Sequence, residues 1–247
     1  MLVKSQVKYI QSLSQKKYRD EEAVFVAEGP KIINELLYAG NVQPRHLYAT
    51  KEWIEANTIK DSSLVTEVSE AELERVSFLQ TPNQVTGIFS KPVFEGQPPV
   101  KQKISLLLDA IQDPGNMGSI LRCADWFGIE LLICSMECAD VFSPKVVQST
   151  MGSISRVQVI YTEPEQFLQQ HTGTPVYATT LEGTAINKLP AIKEGIIIIG
   201  NESKGIRPSL LRLSQHQVTI PRKGKAESLN AAVATGIVLA TLTGFGS

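Results

Sequence analysis

Between residues 23 and 89 the chain repeats one pattern four times. A short apolar run, at 23–27, 46–49, 64–68 and 85–89, is followed by a polar turn or a segment of helical period. Each run predicts a strand. Helices are predicted at 31–38, with Pro30 as first residue and Gly40 as stop, at 52–56, and at 70–76 behind Ser69 as cap. Ahead of them Val7, Ile10 and Leu13 form a sparse apolar stripe in residues 1–20, read as a basic helix or arm. Such alternation predicts a compact α/β sandwich. Residues 90–103 hold Pro92, Gly96, Pro98 and Pro99 without periodicity and read as a linker, which sets domains at 1–97 and 98–247.

The alternation restarts with stronger signals. Strands are predicted at 104–109, 129–134, 157–161, 176–180, 195–200 and 217–220, and helices at 119–127, 144–151 and 208–213. Residues 114–118, Pro-Gly-Asn-Met-Gly, read as a loop. Residues 195–200 are Gly-Ile-Ile-Ile-Ile-Gly, which predicts a strand covered on both faces and hence a largely parallel sheet. Residues 229–242 form a Leu/Ala/Val run with little polar but Asn230 and Thr235, a helix expected to be buried nearly all round, with Ser228 as its cap. An Asn at that entrance, beside the basic loop of Arg222, Lys223 and Lys225, is out of place at a core boundary. It marks residues 220–230 as a candidate site.

Composition narrows the class. With 43% hydrophobic and 20% charged residues in 247, the chain reads as a globular protein, with no signal-peptide core and no membrane span. Three cysteines cannot build a disulfide framework, and Cys134 and Cys138 lack a second Cys/His pair for zinc. A cytosolic protein with reduced thiols and no metal is expected. The net charge of −1 hides an uneven spread. Residues 1–20 carry five cations, Lys16, Lys17 and Arg19 among them, against Asp20 alone, and residues 203–225 carry six cations and no acid. Two basic segments suit a polyanion.

Three predicted strands end in Gly- or Pro-containing stretches that open onto helices, the place where open parallel sheets bind ligands. They are residues 113–122, 200–205 and 220–230. The first has Gly115 and Gly118 but not the third glycine of a dinucleotide fingerprint, which disfavours a nucleotide-dependent oxidoreductase. Arg122 lies on an otherwise apolar helix; it either snorkels to a surface carboxylate or presents its fork of donors to a phosphate or hydroxyl. Together the three stretches, Asn116-x-Gly-x-x-x-Arg122 with Ala124, Gly200-Asn-Glu202 with Gly205, and Ile220-Pro-x-x-Gly224-x-x-x-Ser228-Leu-Asn230, resemble the SpoU (TrmH-like) class of the SPOUT RNA methyltransferases. The resemblance covers residues 103–247. Residues 25–29, Phe-Val-Ala-Glu-Gly, followed by a helix, look like the opening of an L30e-like substrate-binding module.

What the resemblance implies is methyl transfer from S-adenosylmethionine to a ribose 2′-hydroxyl of tRNA or rRNA, in a cytoplasmic homodimer whose site lies close to the subunit interface. It also implies a C-terminal trefoil knot, an exception to the rule that chains do not thread loops. Cofactor contacts are expected from Ile199, Gly200, Asn201, Glu202, Ile220, Ser228, Leu229 and Asn230. The catalytic set is Arg122, organised by Asn116, Glu202, Ser228 and Asn230. An arginine is a poor general base, so phosphate binding and alkoxide stabilisation are the expected role, with base action left open. RNA contacts are expected from Lys16, Lys17, Arg19, Glu28, Arg222, Lys223 and Lys225. Arg222 and Gln148 depart from the family, which often has an apolar residue and Arg there. The rival reading is an RNA-binding or ribosome-assembly factor of the same fold without catalysis.

Overall fold

The computed structural model describes residues 2–96 and 100–244. In chain order its elements are α1 (Lys4–Ser12), α2 (Lys16–Glu21), β1 (Val24–Glu28), α3 (Pro30–Tyr38), β2 (Pro44–Ala49), α4 (Lys51–Ala56), β3 (Val65–Glu67), α5 (Glu70–Glu74), β4 (Val85–Ser90), β5 (Ile104–Asp109) and α6 (Pro114–Trp126). There follow β6 (Leu131–Cys134), α7 (Pro144–Thr150), β7 (Gln158–Tyr161), α8 (Pro164–Gln170), β8 (Val176–Ala185), β9 (Gly195–Gly200), α9 (Pro208–Leu213), β10 (His216–Thr219) and α10 (Ala231–Leu242). They form two compact units: Met1–Glu95 with Asp140–Ser155, and Gly96–Ala139 with Arg156–Ser247. The expected boundary at 97/98 lies outside the described residues.

The first unit is built on a four-stranded mixed sheet of order β1-β4-β2-β3, antiparallel except for β2 with β3. Strand alternation sends Val24 and Val26 to one face, where they pack with Val7, Ile10, Leu13 and Leu73, and Phe25 to the other, against Phe89 and Phe142. Residues 2–20 are therefore helical and packed rather than an arm. Ile10 and Leu13 are fully buried, and the Gln11 amide donates to the Arg75 carbonyl at 2.9 Å. Helix α7, read from sequence as part of the second domain, packs on β1; its Val146 and Val147 are buried, and Phe142 just ahead of it meets Phe25.

Two residues expected to face RNA are consumed inside this unit. Arg19 is 2% exposed; it donates to the Leu13 and Ser14 carbonyls at 2.7 Å each and pairs with Asp140 at 2.5 Å. Glu28 is 3% exposed and accepts from the Ser77 hydroxyl at 2.5 Å and the Phe78 N–H at 2.8 Å, anchoring the turn that leads to β4. The expectation of RNA contact does not fit either place, because a buried charge is held by partners rather than offered to solvent. Lys16 and Lys17 do lie on the surface, each beside an acid one turn on, Asp20 at 2.6 Å and Glu21 at 3.8 Å.

The second unit has a six-stranded sheet of order β10-β8-β9-β5-β6-β7, every pairing parallel. Leu107, Ile196 and Ile198 pack with Phe167 of α8 and Leu210 of α9 on one face. The intervening Leu106, Leu108, Ile197 and Ile199 are also buried, and α10 packs against α6 and β9. Both faces being covered explains the unbroken apolar runs. Helix α8 was missed in sequence, because the adjacent Phe167 and Leu168 are its only large apolar residues and set no period.

Candidate active site

The carboxyl ends of β5, β9 and β10 carry the three singled-out stretches. The first is helical rather than a loop: α6 starts at Pro114, whose missing N–H costs nothing at that position. The Asp113 carboxylate caps the helix by accepting the Asn116 N–H at 2.8 Å. Asn116 thus stands on a rigid first turn.

The second stretch is a closed turn. Asn201 and Gly205 exchange backbone hydrogen bonds at 2.8 and 3.2 Å, and Gly205 has φ +67°. A Cβ on Gly200 would stand 2.6 Å from the Gly205 carbonyl carbon, so only glycine fits there. The Asn201 side chain accepts the Ser203 and Lys204 N–H groups at 2.9 and 3.1 Å and donates to the Ala110 carbonyl at 2.8 Å, so it shapes the turn. Ile199 is buried in β9.

In the third stretch the helix cap is Asn230 rather than Ser228. The Asn230 oxygen accepts the N–H groups of Ala232 and Val233 at 3.0 and 3.2 Å, and α10 begins one residue later. Asn satisfies two orphan donors of the helix start, which Ser228 is two residues too early to reach. Thr235 is buried and resolves its hydroxyl by donating back to Ala231 at 2.7 Å. Helix α10 is not buried all round: Val233 and Ile237, one turn apart, are 51% and 37% exposed.

One chain of side-chain amides joins the three stretches. Asn230 donates to the Asn116 oxygen at 2.7 Å, Asn116 donates to Glu202, and Glu202 also accepts the Ala231 N–H at 3.4 Å. The direction is forced. The helix start occupies the Asn230 oxygen, so its NH2 must meet the Asn116 oxygen, leaving the Asn116 NH2 for the carboxylate. Asn116, Glu202 and Asn230 are thus brought together.

Arg122 is not brought to them within the chain. It is exposed, and among the described residues no hydrogen bond or ion pair engages its guanidinium. Six residues along α6 amount to about 600°, so Arg122 lies roughly 120° around the helix from Asn116. It shares its face instead with Trp126, one turn on and 74% exposed. The surface-carboxylate reading of Arg122 is thereby removed.

The stretch at 221–229 is exposed throughout, with Arg222 tied back to the Ala226 carbonyl at 3.0 Å. Among the described residues no backbone–backbone hydrogen bond involves it. A run of backbone donors and acceptors outside any backbone pairing, flanked by half-buried Ile220 and 44%-exposed Leu229, suits a ligand with an apolar ring and polar edges. Leu181, 75% exposed on β8, belongs to the same corner, its carbonyl accepting the Thr219 hydroxyl at 3.1 Å. Sequence reading missed it because it ended β8 at Thr180; the 75% exposure of a leucine is visible only in the fold. Among the described residues no cluster of three His, Cys, Asp or Glu could hold a metal, and no helix is long and apolar enough to cross a membrane.

Comparison with known proteins assigns a class to this parallel sheet with its polar chain at the carboxyl edge, that of the SpoU RNA methyltransferases. Residues 103–240 match the SpoU rRNA Methylase family, and residues 4–87 match the MRM3-like substrate binding domain. The chain belongs to the SpoU rRNA methylase family. It is 30% identical to the 23S rRNA (guanosine(2553)-2′-O)-methyltransferase of Bacillus subtilis, over 96% of each chain. It is 31% identical to an uncharacterized tRNA/rRNA methyltransferase of Synechocystis, over 94% of this chain and 88% of that one. Among solved structures it is similar to the AdoMet-bound rRNA methyltransferase from Sinorhizobium meliloti, with a TM-score of 0.85, 32% identity, and coverage of 100% of this chain and 97% of that one.

Proposed function

We propose that the protein transfers a methyl group from S-adenosylmethionine to a ribose 2′-hydroxyl of rRNA or tRNA at the carboxyl edge of its parallel sheet. The observation that carries this reading is the Asn230–Asn116–Glu202 chain, which gathers all three motif stretches at one place.

The cofactor fits the residues present. The backbone of 221–229 can pair with the edges of an adenine and with the methionine part, Ile220, Leu229 and Leu181 supply apolar contact, and the closed 200–205 turn forms the opposite wall. S-adenosylmethionine supplies an electrophilic methyl on a sulfonium. The chain's task is to present the ribose in line with it, and positioning accounts for much of the acceleration in such displacements. Asn116 and Asn230 hold the walls in register. Arg122, free of internal partners, is available to bind the phosphate beside the reacting ribose and to stabilise charge developing on its 2′-oxygen. Lys223 and Lys225, exposed and unpaired among the described residues, would hold flanking phosphates; Lys16 and Lys17 would do so on the first unit, whose family match is to a substrate-binding domain.

The protein is further read as a cytoplasmic homodimer. Support comes from the packed helices α6 and α10, which expose the large apolar side chains of Trp126, Val233 and Ile237. In such a dimer Arg122 would lie near the interface. The trefoil knot belongs to the same proposal and is supported by the family.

The test is transfer of labelled methyl from S-adenosylmethionine to total RNA, with the modified nucleotide mapped. A single 2′-O-methylated position is expected. Cofactor and RNA binding without transfer to any RNA would favour the non-catalytic assembly factor instead.

A further inference from the structure

We infer that Asp109 and Arg207, outside every motif above, are positioning residues that clamp the base of the 200–206 turn in its binding shape. The inference rests on the reading that this turn is a wall of the cofactor site.

Asp109 ends β5 directly opposite Gly200 in the parallel register, so it stands at the start of the turn. Its carboxylate is 3% exposed and takes three donors from Arg207, the residue that closes the turn. The Arg207 backbone N–H donates to one oxygen at 2.8 Å, while Nε at 2.8 Å and the terminal nitrogen at 2.6 Å reach the other. Asp109 therefore reaches both ends of the loop, its backbone paired with Gly200 and its buried carboxylate holding Arg207 with the fork geometry that only arginine provides. Glu137 at 3.1 Å holds the outer side of the guanidinium.

A second tie runs beside the first. Ala110 has φ +56°, an uncommon conformation for a residue with a Cβ. Its N–H is taken by the buried Ser135 hydroxyl at 3.0 Å and its carbonyl by Asn201 at 2.8 Å. Opening the Asp109–Arg207 clamp would leave Glu202, at the tip of the turn, without a fixed base from which to meet Asn116.

The test compares Arg207→Gln and the milder Arg207→Lys with wild type in three measurements: calorimetric titration with S-adenosylmethionine, amide hydrogen exchange of the ligand-free protein, and kcat and KM for methyl transfer. Arg207→Gln is expected to weaken cofactor binding about tenfold or more and raise its KM, while kcat at saturation changes less than about threefold. Exchange at 201–205 should speed up at least tenfold while β5 and β9 stay protected. Arg207→Lys should fall between the two. Unchanged loop exchange and affinity, or exchange raised uniformly through the second unit in both variants, would overturn the clamp. Wild type that fails to bind S-adenosylmethionine would overturn the cofactor reading instead, and loop exchange would still decide the clamp.

Discussion

The two arginines Arg19 and Arg122 show how differently the two units use charge. In the first unit Arg19 is enclosed, its terminal nitrogens spent on two carbonyls and Asp140 while Nε is buried without a partner. In the second, Arg122 stands in solvent on an apolar helix with no partner among the described residues. Burial makes the first arginine part of the architecture, since an unpaired charge in a core is too costly to keep. Exposure without a partner leaves the second free for a ligand. Sign of charge and local sequence do not separate the two cases; environment does.

That contrast can be broken. Arg19→Ala should have the largest effect, about 3–5 kcal/mol off the stability of the first unit, because Asp140 is left without its counter-charge. A urea titration followed at buried Trp53, in a Trp126→Phe background, reads it; a loss under about 1 kcal/mol would show Arg19 to be dispensable. Arg122→Ala should do the reverse. Transfer activity should fall about a hundredfold or more, as for loss of a group that stabilises developing charge, while the melting temperature and cofactor affinity stay as they are. Full activity in this variant would remove Arg122 from the mechanism.

Smaller effects sharpen the same comparison. Asn230→Ala removes a helix cap, worth about 1 kcal/mol, and a link of the polar chain. It should lower both stability and activity, whereas Asn230→Asp, which still caps, should restore stability alone, because its carboxylate has no donor for Asn116. Equal rescue of both by Asp would deny the chain a separate role. The smallest effect is a pH dependence at Glu28. Burial pushes its carboxyl above the ordinary 4.5, against the hydrogen bonds from Ser77, Phe78 and Thr86. A carboxyl raised by folding contributes stability that is fully present below its ordinary value and is lost as pH rises through the raised one. Wild type should therefore lose urea resistance relative to Glu28→Gln as pH rises through that window, and parallel curves for the two proteins would contradict the buried, raised carboxyl.

Sequence reading placed β5, β9 and α9 residue for residue, because each is an apolar block bounded by Gly, Pro or a charge. It also found the three stretches of the site, whose Gly, Asn and Ser residues are hard to explain as core. It misjudged where helices begin. Residues 114–118 looked like a loop through their Pro and two Gly, yet the Asp113 cap makes them a first helical turn. Ser228 was favoured as a cap over Asn230, since either type can serve and only the backbone path chooses.

The sequence by itself determined the parallel sheet, the motif stretches and the apolar closing helix, because hydrophobic period and turn chemistry are local properties of the chain. Only the tertiary structure decided which polar residues are spent and which are free. Arg19 meets Asp140 across 121 positions, Asp109 meets Arg207 across 98, and Asn116 meets Asn230 across 114. Pairings at such separations leave no local trace, since the free energy of a buried charge or amide is set by what folding brings beside it.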